Sequence, residues 1–202
     1  MIVKNILDDN VISALKNEQL IITKTDTIYG ILAVANSKKA VEKLYEAKKR
    51  PLNKPVIILV ADIDEIPNLT PSIKHEYQEI SKNRPTTIIT KVSPDFLSHL
   101  PRNDRTLAFR VVSESPLAEL IRTVGLLVAP SANPSGEEPA KNVTEAINYF
   151  HKLVPIYVDS GEVADAQPSQ IIQINEGGEI EFLRRQSSNN CQKKSPNKKD
   201  FL

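Results

Sequence analysis

The chain has 202 residues, 40% of them hydrophobic, and a formal net charge of +1 at pH 7. That suffices for one domain with a full core. The near-neutral balance excludes a generally basic nucleic-acid binder, and no apolar run of about 18 residues offers a membrane-spanning helix. The only cysteine, Cys191, excludes an intramolecular disulfide and a cysteine-built metal site.

A lone cysteine fits a reducing compartment, and Met1-Ile2-Val3-Lys4-Asn5 lacks the long apolar stretch of a signal peptide. A cytoplasmic location with no membrane contact is therefore expected. Lys193, Lys194, Lys198 and Lys199 against Asp200 give the last residues a charge of +3, leaving about −2 for the remainder. Any RNA contact would have to come from a local patch or from this tail.

In chain order, Ile6-Leu7, Val11-Ile12 and Leu15 have helical spacing over residues 6–18, and Gln19 to Thr23 reads as a buried strand. Thr25-Asp26-Thr27 forms a polar turn at its end. Ile31 to Ala35 is apolar and strand-like, and Asn36 and Ser37 are helix-start signals. The following helix places Val41, Leu44, Tyr45 and Lys48 on one face, so Lys48 continues an inward stripe. Pro51 ends that helix by restricting the residue before it, which presents Arg50 from a turn. Val56 to Val60 is suited to a strand covered on both faces.

Pro71 to Lys82 reads as a helix and Thr86 to Thr90 as a strand, followed by an irregular polar stretch over residues 91–105. Leu107 to Val112 resumes strand character with Arg110 in its midst. Ser115-Pro116 supplies a cap and a first-turn proline for a helix over Leu117 to Thr123. Leu126 to Ala129 is a short buried strand that runs into Pro130-Ser131-Ala132-Asn133-Pro134-Ser135-Gly136, a loop dense in turn residues. Asn142 with Glu145 resembles a capping box for a helix through Phe150. Ile156 to Val158, Ile171 to Ile174 and Ile180 to Leu183 are expected final strands, the last two joined at Gly177-Gly178. From Ser187 on no apolar periodicity survives, and residues 187–202 are expected to be a disordered polar tail behind a single domain over residues 1–186. The alternation of strands and helices predicts an α/β domain with a twisted mixed sheet flanked by helices.

Three clusters carry chemistry. Lys48-Lys49-Arg50 is also what a solvated helix end looks like, but Lys48 falls on the apolar face and the run abuts a proline-bounded turn. A guanidinium there can grip phosphate with two parallel hydrogen bonds, and an ammonium adds a point charge. Ser131-Ala132-Asn133 and Thr25-Asp26-Thr27 read equally as tight turns or as polar dipoles aimed at a ligand. His75, His99 and His151 lie outside all three clusters and read as surface or satisfied histidines, so a histidine-based triad or metal site has no support. No GxxxxGK[ST] or GxGxxG phosphate cradle occurs.

Taken together and in order, Thr25 to Gly30, Lys48 to Pro51 and Ala129 to Gly136 resemble the motifs of the YrdC-like family of threonylcarbamoyl-AMP synthases. Thr106 to Arg110, Asp159-Ser160-Gly161, Pro168 to Ile172 and Leu183-Arg184 are weaker echoes, and the resemblance spans residues 21–184. It implies an α/β fold with a large positive cavity. The implied reaction joins L-threonine, bicarbonate and ATP into threonylcarbamoyl-AMP with release of pyrophosphate, for the tRNA-modification machinery acting at adenosine 37. By position, Thr27, Arg110 and Ser169 would hold threonine. Arg50, Lys54, Thr106, Ser131, Asn133, Ala140 and Arg184 would line the ATP region, with Lys48 and Arg50 as the catalytic cations and Mg²⁺ on the phosphates. No protein-held metal is implied.

The sequence departs from the family pattern at Lys24 (proline), Leu59 (histidine in some members), Lys82 to Pro85 (a Trp-Pro-Gly-Pro-like turn), Gln170 (threonine) and Arg185-Gln186 (Pro-Gly). Two other functions remain open on the sequence. One is an RNA-binding module of the same fold without synthase activity; the other is a carbamoyl transferase domain of the hydrogenase-maturation type.

Overall fold

The computed structural model describes residues 1–163, 167–175 and 178–185. The expected disordered tail, and Gly177 of the expected final turn, lie outside these residues. Five α-helices are present among them: α1 (Asp9–Lys16), α2 (Lys38–Ala47), α3 (Pro71–Ser81), α4 (Pro116–Val124) and α5 (Val143–Phe150). The strands are β1 (Ile2–Val3), β2 (Ile21–Lys24), β3 (Tyr29–Val34), β4 (Ile57–Val60) and β5 (Thr86–Lys91). They continue with β6 (Thr106–Val111), β7 (Leu127–Val128), β8 (Ile156–Val158), β9 (Gln170–Ile174) and β10 (Ile180–Arg184).

Side chains next to each helix start fix where it begins. Asp8, Ser37, Thr70, Ser115 and Asn142 each accept a hydrogen bond from a first-turn backbone N–H, satisfying donors that have no partner within the helix. Pro71 and Pro116 sit in the first turn, where a missing N–H costs nothing. Glu145 also folds back on α5, its carboxylate accepting from the Lys141 N–H at 2.8 Å.

The ten strands form one mixed sheet in the order β1-β8-β2-β3-β7-β4-β6-β5-β9-β10. Successive residues of its central strands alternate between two cores, as the two-residue period of a strand requires. Ile22, Ile31, Ala33, Ile58, Val60 and Val128 pack with α2, α3 and α5. Ile21, Leu32, Leu59, Ala61 and Leu127 pack with α1 and α4. Helices thus cover both faces, and β3, β4 and β7 are apolar throughout. No helix among the described residues is long and apolar enough to cross a membrane.

Several features differ from the expectation. β1 pairs parallel with β8, but two residues are too few to show a period. β3 begins at Tyr29 and pairs antiparallel with β2, so Thr25 to Ile28 is a hairpin loop closed by Thr25 N–H to Ile28 O at 2.9 Å. Residues 91–105 bury Val92, Leu97 and Leu100 and end in a tight turn. There Asp104 and Arg105 both have positive φ, the pairing of dihedrals that a two-residue hairpin favours.

Candidate active site

The basic corner after α2 is shaped by the way the helix stops. Lys49 takes a left-handed φ of 50°, Arg50 N–H donates to Tyr45 O at 2.9 Å and Lys49 N–H to Glu46 O at 3.0 Å. This is a Schellman ending with lysine where glycine is usual. The helix therefore ends by its own C-cap, Lys48, three residues before Pro51, and the reversal sends Lys48 and Arg50 in different directions.

Arg50 turns into a cavity of about 130 Å³, lined also by Thr25, Thr27, Gly30, Ser131, Arg110, Ser169 and Arg184. Its Nη2 donates to Pro55 O at 2.7 Å, which fixes the guanidinium, and its Nε is buried without a partner. Arg110 enters from β6, only 4% exposed, ion-paired to Asp26 at 2.8 Å and likewise with Nε unpartnered. Arg184 comes from β10 and donates through Nε and Nη2 to Ser169 O at 3.1 and 2.8 Å. Three guanidiniums from distant parts of the chain thus share one chamber. Burial lowers the proton affinity of Arg50 and Arg184, and the Arg110 charge lowers that of Arg184 further. Burial is likewise the main reason Asp26 titrates above the ordinary carboxylate range, with Arg110 opposing.

Hydroxyls line the rest. Thr25 Oγ1 donates to Ile28 O at 2.9 Å and lies 3.1 Å from Thr27 Oγ1. Ser169, 2% exposed, has its Oγ 2.8 Å from Thr87 Oγ1, a partner that no local motif singles out. Gly30 lets the loop after β7 approach β3. A Cβ there would meet Thr25 Cγ2 at 3.2 Å and Pro130 O at 3.3 Å, and Gly30 bridges to Ser131.

The other expected site residues stand back from the cavity wall. Lys48 is 2% exposed and its Nζ donates to Ser131 O and to Asn133 O, while its own carbonyl accepts from Ser135 N–H at 2.8 Å. It clamps the 131–135 loop from behind. Burial, and secondarily the Arg50 charge, push its pKa down from 10.5 to about 7. Asn133 turns Nδ2 onto Pro134 O and Glu137 O at 3.1 and 2.6 Å, and its Oδ1 is buried without a partner. Ala140, buried, donates its N–H to Ala132 O at 3.1 Å. Lys54 is half-buried, with its carbonyl accepting from Tyr45 OH at 2.5 Å. Thr106 bonds to Asn103 O at 2.6 Å and lies four strand residues, roughly 13 Å, from Arg110.

Among the described residues, no group of three or more His, Cys, Asp or Glu could hold a metal ion, and no carboxylate lines the cavity. His99 is satisfied by Ala35 O at 2.8 Å, and His75 and His151 are exposed.

Fold and site together define an α/β protein with a cationic, hydroxyl-lined chamber at the ends of its central strands. Residues 13–186 match the family model Sua5/YciO/YrdC, described as telomere recombination, and the chain belongs to that family. It is 33% identical over 168 residues to a Methanocaldococcus jannaschii relative, covering 79% of this chain and 76% of that one. It is 30% identical over 163 residues to a Bacillus subtilis protein named threonylcarbamoyl-AMP synthase, covering 78% of this chain and 47% of the relative. The crystal structure of Pyrococcus abyssi Sua5 complexed with L-threonine superposes with a TM-score of 0.77 at 25% identity, over 92% of this chain and 57% of that one. The chain thus spans about half the length of the latter two.

Proposed function

We propose that the protein is an L-threonylcarbamoyladenylate synthase, joining L-threonine, bicarbonate and ATP with release of pyrophosphate. The observation that carries this reading is the convergence of Arg50, Arg110 and Arg184 on one cavity, two of them with a buried, unpartnered Nε. Converging guanidinium charges suit an anionic ligand, which offsets both their mutual repulsion and the cost of burying them. The B. subtilis name and the threonine bound to P. abyssi Sua5 supply the substrate class.

ATP, bicarbonate, the carbamate and pyrophosphate are anionic and threonine brings a carboxylate, so catalysis rests on orientation and charge neutralisation. Threonine's amine adds to carbon dioxide with loss of a proton, or to bicarbonate with loss of water, and the carbamate oxygen then attacks the α-phosphate of ATP, expelling pyrophosphate. Arg50 and Arg184 sit where they can hold phosphate oxygens, with the Ser131 hydroxyl beside them. Arg110, Thr27 and Ser169 sit where they can hold the amino acid. Lys48 acts through the loop that it clamps, and Lys54, Thr106, Asn133 and Ala140 support the ATP side. Among the described residues the walls offer no carboxylate to a resident metal, so Mg²⁺ belongs to this proposal as a companion of the triphosphate, and no step is assigned to it. The product would pass to cytoplasmic machinery that modifies adenosine 37 of tRNA.

Pyrophosphate release measured with each substrate omitted in turn tests the reading. Turnover should require all three and vanish in Arg50→Ala at unchanged melting temperature; release that ignores threonine or survives the substitution would reject it. The RNA-binding alternative draws on a tail outside the described residues and predicts tight, salt-steep RNA binding without turnover.

A further inference from the structure

Arg110 lines the cavity, yet one end of its guanidinium is committed elsewhere. Nη2 donates to Asp26 Oδ1 at 2.8 Å and lies 3.4 Å from Thr25 Oγ1, whereas Nε is buried with no partner. Asp26 is not part of that cavity wall. It lines two neighbouring hollows, one with Tyr77 and Arg84 and one with Lys24 and Ser115. Its side chain is 28% exposed against 4% for Arg110. The carboxylate therefore grips the guanidinium from outside the chamber.

A charge-assisted bond at Nη2 removes most of the rotational freedom of a long side chain. The guanidinium is then held in one orientation at the cavity wall. Without that anchor, the Arg184 charge across the cavity would repel Arg110 toward the outer hollows.

We propose that Asp26 is a positioning residue for the amino-acid half of the reaction: held from behind by this carboxylate, Arg110 keeps its guanidinium in one orientation at the cavity wall, set for the substrate's carboxylate. Asp26 touches no substrate and works through Arg110 alone. The inference rests on the synthase reading.

Two measurements test it. In steady-state kinetics, Asp26→Ala should raise KM for L-threonine about tenfold or more, with KM for ATP near wild type. Asp26→Asn, which keeps the shape and loses the charge, should fall between, and Asp26→Glu should recover part of the loss. An unchanged threonine KM, or ATP and threonine KM values rising together, would overturn the proposal. The second readout needs no turnover: the Arg110 Nε–H resonance of the ligand-free protein, assigned by its loss in Arg110→Lys. It should be slow to exchange in wild type and broadened or fast-exchanging in Asp26→Asn. An identical resonance in both would refute the anchoring even if the wild-type protein made no pyrophosphate, and that missing turnover would count against the synthase reading instead.

Discussion

Replacing Lys48 with methionine keeps the length of the side chain and removes its charge, which isolates the cost of burying an ammonium behind the site. Burial sets the Lys48 pKa at about 7 in the folded protein, against 10.5 for an unperturbed lysine. Below pH 7 both folded and unfolded states hold the proton, and the folded state bears the full desolvation cost. Between about 7 and 10.5 the unfolded chain keeps its proton while the folded chain has released it, so stability rises with pH. Above 10.5 both are neutral and the cost is gone. At 1.36 kcal/mol per pKa unit, the gap corresponds to up to about 5 kcal/mol. The assay is urea unfolding of wild type and Lys48→Met at pH values from 7 to 10.5. The wild-type stability minus that of the variant should climb across this window, since every other titrating group is common to both proteins. A flat or falling difference would refute the buried-ammonium argument.

Gly30→Ala should cost about 1–3 kcal/mol in unfolding free energy, as overpacking against the Pro130 carbonyl does; a neutral result would show that the loop yields freely. Lys49→Gly and Arg105→Gly remove side chains from left-handed backbone and should each leave stability unchanged or raise it by up to about 1 kcal/mol in thermal melts. A loss above that size would mean that contacts of the side chain outweigh the strain. Phe109→Ala, at a fully buried site, should cost about 3–5 kcal/mol in denaturant titrations.

Much of this architecture is written locally. Ser115-Pro116 and Asn142 mark helix starts because their chemistry acts within one turn, and Lys48 is inward by helical spacing alone. The cationic corner was likewise visible in Lys48-Lys49-Arg50. What could not be read is what depends on distant partners. Nothing near Asp26 indicates that Arg110 lies against it, and nothing near Thr87 points to Ser169, because both contacts follow from strand order. The hairpin at Thr25 to Ile28 was obscured by residues that suit a turn before a helix equally well. Lys49 in the left-handed position after the C-cap hid the true helix stop, and Pro51 two residues later offered a plausible false one.

Arg50, Arg110 and Arg184 line one chamber, and on the synthase reading ATP and L-threonine bind next to each other there. Calorimetric titration of ATP into wild type and Arg184→Ala, each with and without saturating L-threonine, tests it most directly. Wild type should bind ATP, with an affinity that changes when threonine is present, and Arg184→Ala should lose about tenfold or more in ATP affinity. Wild-type ATP affinity in Arg184→Ala, with threonine making no difference to either protein, would contradict the account.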